Sequence, residues 1–496
     1  MDIFLNFMAS LICFLVLSLV LIPASTHPQS NEQGYTSVIL SDKGIDFAKD
    51  MLIKKAVSSM IPLQLPDIEK YVKIPLLGRV HVVLSNITIN SVIAPSSVET
   101  GATGIVLLAS GATADLTMNW RYSYKSWIVV ISDSGDASVK VKDMEVGLTV
   151  TSEEQDGTLT LSLLDCGCYV KDISIKMDGG ASWLYQVVVD AFEGPIGSAV
   201  ENAISKKIKE GISKLDSRLQ SLPKQVSVDH VSAMNVTFTG NPVLVNSSIE
   251  IDINGLFMTR DNVLIPSYYY KGLQASDSSN CPAKMIGISL HENVFNTAAV
   301  VYFNAGYMHW TVDRFPNQSL LNTTTWRYIY PQLYEVYPND GMKLNISLTS
   351  PPVIKIVEND LDVTIYLDVT VNVLDADEVI PVASVSLVVN ASCSPHILRN
   401  KLAGILKLKN FTVSYNWSNI GDLHVPLVSS FCYHSQPIAY AVVETIFLPY
   451  VNLPLLKGLP LPFLHGFTLK NAEIHCMKSK MMICSNLAFS QQYHIS

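Results

Sequence analysis

Two stretches of this chain run through the same succession of patterns, and that repeat constrains the fold more than any single motif. The first opens with a short apolar strand, Thr36 to Leu40. A helical pattern follows from Asp42, with Ile45, Ala48, Leu52, Ala56 and Met60 on one face and Pro62 ending it. Period-two segments come next: Ile87 and Ile89; Met144, Val146, Leu148 and Val150; Leu159, Leu161 and Leu163; Ile173, Ile175 and Met177. Strands with one buried face point to an antiparallel sheet. A second helical pattern runs from Trp183 to Leu219 through Val188, Phe192, Ile196, Ala199, Ala203, Ile208, Ile212 and Leu215. At about 1.5 Å per residue it reaches roughly 50 Å, with Pro195 as the place for a kink.

From Lys284 the order starts again. Lys284 to Leu290 is a short apolar strand, and His291 to Gly306 carries Val294, Ala298, Val301 and Ala305 at helical spacing, with Gly306 placed to cap it. Aligning Leu40-Ser41-Asp42 with Leu290-His291-Glu292 and Ala48 with Ala298 gives an offset of 250 residues. Alternation returns in Leu361 to Val373, Val385 to Val389 and Val413 to Trp417; Val425 to Leu448, interrupted by Pro426 and Pro437, is the weaker counterpart of the long helix. The expectation is an α+β chain of two tandem, pseudo-symmetric, barrel-like domains, each an antiparallel sheet plus two helices. The other reading is one large sheet with accidental similarity between its halves. Expected bounds are 1–26 for a leader, 35–240 for the first domain, 241–283 for a linker and central-sheet region, and 284–490 for the second domain.

Composition narrows the function classes. Of 496 residues, 48% are hydrophobic and only 16% charged, against a usual quarter. The formal charge of −9 makes a broad nucleic-acid surface improbable and leaves membranes, lipids and apolar partners to consider. Leu11 to Ile22 is an apolar core of secretory length followed by Ala24, Ser25 and Thr26, which reads as a cleaved signal peptide, with a retained anchor as the alternative. Nine N-x-[ST] sequons follow, at Asn86, Asn235, Asn246, Asn317, Asn322, Asn345, Asn390, Asn410 and Asn416, which fits a secreted, extracellular glycoprotein. Past Cys13 there are seven cysteines, so at least one is unpaired within the chain; Cys476–Cys484 and Cys393–Cys432 are candidate disulfides.

Searches for catalytic chemistry return little. There is no Gly-x-Ser-x-Gly elbow, phosphate loop or Gly-x-Gly-x-x-Gly, and His291-Glu292 lacks the second histidine of a zincin. Cys166-Gly167-Cys168 has no further ligands at zinc spacing, so no metal site is expected. Asp360, Asp362, Asp368, Asp375, Asp377 and Glu378 alternate with strand hydrophobes or lack a loop glycine, which reads as a solvated face rather than a calcium loop. The chain is expected not to be an enzyme and to need no cofactor, although bound phospholipid is compatible with it. An extracellular lipid hydrolase and a purely structural glycoprotein are the competing classes.

Several segments in order resemble one known family: Ser41 to Ala48; Lys73 to Gly78; Ile286 to Leu290 leading to Val294 to Ala298; Ser350 to Pro352; Ser418 to Gly421; and Leu448 to Asn452 with Lys457 to Pro462. The family is the lipid-transfer and lipopolysaccharide-binding one that includes bactericidal/permeability-increasing protein, lipopolysaccharide-binding protein and the plasma lipid transfer proteins. The resemblance covers roughly Tyr35 to Cys476. It implies a boomerang of two barrels joined by a central sheet, each with an apolar pocket for acyl chains. Burial is worth about 0.8 kcal/mol per methylene, so few polar contacts are required. On the apolar faces of this sequence, the pocket candidates are Leu52, Ala56, Val188, Phe192 and Ile196, then Val294, Ala298, Val301, Val442 and Ile446. The same residues would equally close an ordinary core.

By the same resemblance, basic residues at the tip of the first domain meet the phosphates of lipid A. The matching positions are Lys73, Arg79, Arg121 and Lys125, with Trp120, Tyr122, Tyr124 and Trp127 placed to enter an interface; solvated hairpin charges are the plainer reading. Two features depart from the family. Its disulfide ties a cysteine near Cys166 or Cys168 to the long helix, but Trp183 to Leu219 contains no cysteine here, so the link is either absent or replaced by another pairing. The first domain is also not cationic: from His27 to Gly240 there are 19 basic and 24 acidic residues, a net of −5. The expected function is recognition of lipopolysaccharide in innate defence, at a membrane or micelle surface and with a cell-surface receptor as a further partner. Carriage of phospholipid or another neutral-headgroup lipid is the runner-up.

Overall fold

The structure is a computed structural model. It describes Gly34 to Phe489 apart from 75–77, 96, 102–103, 126–129, 179–181, 246–247, 261–280, 282, 314–320, 328–329, 377, 422–442 and 462–466. The chain divides into two compact units. One holds Leu40–Leu222 with Gly240–Ile251; the other gathers the N-terminal strand, Pro223–Thr239 and the chain from Asp252 onward. The architecture is α+β, and the eight-stranded and seven-stranded sheets are antiparallel.

The first unit carries an eight-stranded sheet. Its main path runs Leu63–Gln64, Gly78–Ile93, Gly104–Lys125, Val130–Gln155 and Thr158–Tyr169. Ile68–Ile74, Ser97–Gly101 and Asp172–Asp178 pair alongside this path. Strands as long as 22 and 26 residues cannot stay flat, because twist accumulates along them. Register shifts between Ser85 and Thr88, Ile89 and Ser91, Ala109 and Ala112, and Thr149 and Val150 take up the bend.

Two helices cover the apolar face of this sheet. Helix α1 spans Asp42–Met60, and Ser41 caps it by accepting the Gly44 N–H at 3.4 Å. Helix α2 spans Ser182–Gln220 and contains Pro195. Its Val188, Phe192, Ile196, Val200 and Ile204 join Trp120, Leu84 and Val139 in one core.

In the second unit, Thr36–Leu40, Ile286–His291, Lys480–Phe489 and Phe467–Met477 are consecutive neighbours in a sheet. Helix α3, Glu292–Asn304, starts directly from the second of these strands and ends near Gly306, at φ +77°. A seven-stranded sheet follows His309–Val312, Gly341–Leu348, Asp360–Asp375, Glu378–Leu398, Lys401–Ser418 and Leu459–Pro460, with Val353–Val357 alongside. Helix α4, Leu448–Lys457, lies on the Lys401–Ser418 strand. The Asn452 side chain holds it there, accepting the Leu406 N–H at 2.8 Å and donating to the Leu406 carbonyl at 3.0 Å. Most of the apolar stretch Val425 to Leu448 lies outside the described residues; its described end is a π-helical turn, Val443–Phe447, running into α4.

One disulfide is present among the described residues, Cys281–Cys484, with 5.6 Å between Cα atoms. It corrects the expected Cys476–Cys484 pair. The hairpin sets Cys476 opposite Met481 and Cys484 opposite Glu473. The two cysteines are therefore three register positions apart, about 10 Å by strand rise, beyond the roughly 7 Å that a disulfide spans. Cys393 is a free thiol, and its candidate partner Cys432 lies outside the described residues.

Candidate lipid-binding site

Only the first half of α1 is rooted in the core, through Gly44, Ile45 and Ala48. Its second half rides above the sheet, and under it lies a cavity of about 160 Å³. The walls are Ile53, Ala56, Val57 and Met60 of α1, Ile204 and Ile208 of α2, and sheet residues including Ile89, Val92, Ala109, Ala112, Met144 and Leu148. Every lining side chain is apolar. Ile89, Ala109 and Ala112 sit at the register shifts, where the ladder breaks and the sheet bends. Small side chains at those bends leave the space unfilled.

Of the five pocket residues expected in the first domain, the cavity is lined by one. Ala56 lines it, at the solvent-exposed side. Leu52 is half-buried one position before Ile53 and is not among the lining residues. Val188, Phe192 and Ile196 are at most 3% exposed and fill closed core, because the part of α2 that faces the cavity, Ile204 and Ile208, is about two to six turns further on. Periodicity gave the buried face of α2 but not the point along it where packing stops. In the second unit, Val294 and Val301 close a small core with Tyr35, Met234 and Phe257, and Ala298 packs at its edge. Val442 lies outside the described residues, as does the side chain of Ile446.

The basic candidates are exposed on the outer face, opposite the helices. Lys73 stands directly across from Arg79. Like charges facing each other on adjacent strands repel, and a bound anion would relieve that repulsion. Arg121 faces Val83 and Ser134, and Lys125 closes its strand opposite Val130. Continuing the register beyond His81–Ser123 brings Lys125 level with Arg79, while Arg121 lies four residues of strand, about 14 Å, from Lys125, so three of the four cations lie together and Arg121 is the outlier. Tyr71 stacks on His81 at 4.8 Å, and His81 lies 3.5 Å from the Glu69 carboxylate, so a carboxylate shares this face.

The aromatic candidates need correction. Trp120 is 1% exposed, and its Nε1–H donates to the Asp136 and Asp178 carbonyls; Tyr122 is buried beside it. Strand alternation puts Trp120 and Tyr122 inward and Arg121 outward, so they cannot serve one interface together. Trp127 lies outside the described residues, and Tyr124 packs partly against the core. Near the basic residues the exposed apolar side chains of these strands are Tyr71, Val130 and Ile131.

Cys166 and Cys168 are thiols on the edge strand that faces α2, with Cys166 Sγ 4.0 Å from the Ser205 carbonyl. Burial above all, with help from Glu201 and Cys166, pushes the Cys168 thiol up to about 12, which disfavours the thiolate a metal needs. Among the described residues no group of three His, Cys, Asp or Glu is placed to hold a metal ion, and no helix is long and apolar enough to cross a membrane. Of the sequon asparagines, Asn86, Asn345, Asn410 and Asn416 are exposed, and Asn235, Asn322 and Asn390 half-buried; Asn246 and Asn317 lie outside the described residues.

Fold and cavity together define a class: a two-unit α+β protein holding an apolar chamber between amphipathic helices and a bent antiparallel sheet. Comparison with known families narrows it. Residues 44–215 match the N-terminal domain of the LBP/BPI/CETP family and residues 226–489 its C-terminal domain, so the chain belongs to that family of lipid-binding and lipid-transfer proteins. It is 49% identical over 486 residues to a BPI/LBP family protein of Arabidopsis thaliana, covering 96% of this chain and 97% of that one. It is 26% identical to the bactericidal permeability-increasing protein of Sebastes schlegelii (91% and 95% covered) and 24% to human lipopolysaccharide-binding protein (91% and 92%). A crystal structure of lipopolysaccharide binding protein superposes with a TM-score of 0.62 at 20% identity, covering 93% of this chain and 100% of that one.

Proposed function

We propose that this chain is a secreted lipid-binding protein that takes acyl chain from bacterial lipopolysaccharide into the chamber under α1 and serves innate defence. The observation that carries the reading is the wholly apolar lining of the cavity. A site without a polar group favours hydrocarbon, and a dry 150 Å³ cavity of this kind accepts a benzene-sized guest. The volume here therefore suits a segment of acyl chain, with the headgroup left outside. The facing Lys73–Arg79 pair supplies charge that suits phosphate as a separate contact with the lipid surface, since ten strand residues, about 30 Å, part Arg79 from Ile89 of the chamber. Carriage of a neutral-headgroup phospholipid is the second reading. The observation favouring it is the net −5 of the first half together with Glu69 on the basic face.

Binding to lipopolysaccharide and to phosphatidylcholine vesicles separates the two. In the Lys73→Ala, Arg79→Ala, Arg121→Ala, Lys125→Ala variant, the leading reading expects lipopolysaccharide binding to fall at least tenfold while vesicle binding holds. Equal retention of both ligands removes the headgroup assignment. Ala109→Phe, which fills the chamber, is expected to weaken both by about tenfold, the worth of roughly two buried methylenes; unchanged binding of both would show that the chamber is not the acyl site.

A further inference from the structure

The seven-stranded sheet of the second unit has a core face and an outer face. Leu344 and Ile346, Ile365 and Leu367, and Leu387 and Val389 point into the core. By alternation the residues between them face outward, and four sequon asparagines belong to that phase or bond to it: Asn345, Asn390, Asn410 and Asn416. The hydroxyl residue of each sequon lies two positions on, which on an extended strand points the same way as the asparagine.

The hydrogen bonds distinguish these sites from the others. Asn345 is exposed and accepts from the Thr311 hydroxyl at 3.2 Å. Asn416 is exposed, accepts from Ser386 Oγ at 2.9 Å, and donates Nδ2 to Asp368 Oδ1 only at the long distance of 3.4 Å. Asn390 and Asn410 stand directly opposite each other. The half-buried Asn390 uses both ends of its amide, accepting from Thr364 at 3.0 Å and donating Nδ2 to Asn410 Oδ1 at 2.7 Å. Elsewhere in the unit, Asn235 Oδ1 is taken by the Thr237 N–H and hydroxyl at 2.9 and 2.8 Å, so both polar members of that sequon are tied into a turn. Asn322 caps a short helix through the Thr324 N–H at 2.8 Å and donates Nδ2 to the Asn339 carbonyl at 3.0 Å.

We propose that Asn345, Asn410 and Asn416 carry N-linked glycans across the outer face of this sheet, that Asn390 and Asn410 exclude each other, and that Asn235 and Asn322 stay bare. Directly opposed residues have Cβ atoms about 5 Å apart, too close for two branched glycans. In the transfer, Nδ2 of the asparagine bonds to the anomeric carbon of a polyprenyl-pyrophosphate-linked oligosaccharide. The carbon–phosphate-oxygen bond breaks, Nδ2 loses one proton, and the lipid pyrophosphate leaves. The sequon hydroxyl orients the amide for the secretory-pathway transferase. A consequence is that the glycan-covered face is closed to a lipid surface, which must approach the second unit from elsewhere.

The proposal rests on the secretory reading, and one experiment distinguishes their failures. The full chain is expressed in a eukaryotic host and followed in medium and cytosol, with site occupancy read by glycopeptide mass spectrometry. Expected are a secreted protein, high occupancy at Asn345, Asn410 and Asn416, summed occupancy of Asn390 and Asn410 no greater than one per chain, and unmodified peptides at Asn235 and Asn322. A secreted chain with glycan on Asn235 or Asn322, with Asn390 and Asn410 doubly occupied, or bare at the three exposed sites overturns the assignment. A chain confined to the cytosol with an intact leader overturns the secretory reading itself.

Discussion

His291 ends a strand and caps α3 at once: its Nδ1 accepts the Asn293 N–H at 3.1 Å while the ring sits 4% exposed, edge-on to Tyr35. A protonated Nδ1 cannot accept that bond, and a cation at a helix N-terminus opposes the helix dipole. Burial, chiefly, and Lys480 hold the imidazole below its ordinary value, with Glu292 pulling the other way. The folded value lies under the unfolded one, so the contribution is complete above about pH 6.5 and is lost as pH falls below it. The melting temperature of the second unit should therefore drop between pH 7 and 5. His291→Asn, a cap that does not titrate, should flatten that drop, at a cost near neutrality of no more than about 1 kcal/mol. Parallel pH profiles for both proteins would show that another group is responsible. The repeat aligned His291 with Ser41, the cap of α1, but a histidine is not among the usual capping residues and His291-Glu292 stood out more as a failed zincin motif. Ala56 was legible as part of an apolar helical face; Ala109 and Ala112 were not, because their importance comes from breaks in a ladder that only pairing reveals.

Among the elements, α2 was the most legible, since an uninterrupted 3.6-residue pattern over so many turns has few other solutions; it runs Ser182–Gln220 against the expected Trp183 to Leu219. Pro195 inside it has no N–H for the carbonyl four residues back, that of Ala191. Lys70, reaching from the Ile68–Ile74 strand, donates its Nζ to that carbonyl at 2.9 Å. The sheet thus supplies the hydrogen bond that the proline removes and fixes the helix along its length. Lys70→Met should destabilise the first unit by about 1 kcal/mol, the net worth of one hydrogen bond. In a Pro195→Ala background, where Ala191 regains a helical partner, the same change should cost close to nothing. A double-mutant cycle on denaturant midpoints measures the difference, and an identical cost in both backgrounds would deny the link. The sequence marked Pro195 as a kink but was silent on its partner, because a lysine 125 positions earlier carries no local signal.

At the scale of the whole molecule, the repeat gave the architecture, while the covalent link in the second unit escaped it. Cys281 and Cys484 are separated by 203 residues and meet because Ile286–His291 pairs with Lys480–Phe489, placing Gly287 opposite Cys484. A Cβ on Gly287 would come within 3.0 Å of Cys281 Sγ, so that glycine makes room for the bridge. Closing so long a loop removes about 5 kcal/mol of unfolded-state entropy in the chain-entropy account, with 2–5 kcal/mol the usual measured loss. Cys281→Ser with Cys484→Ser should therefore lower the melting transition of the second unit by several degrees. The chamber lies wholly within the first unit, so acyl binding in the folded double variant should stay within about twofold of wild type. Calorimetry with a lipid-binding assay on the same samples reads both quantities. A tenfold loss of binding with the protein still folded would mean that the second unit governs the chamber; an unmoved transition would mean that the disulfide contributes no stability.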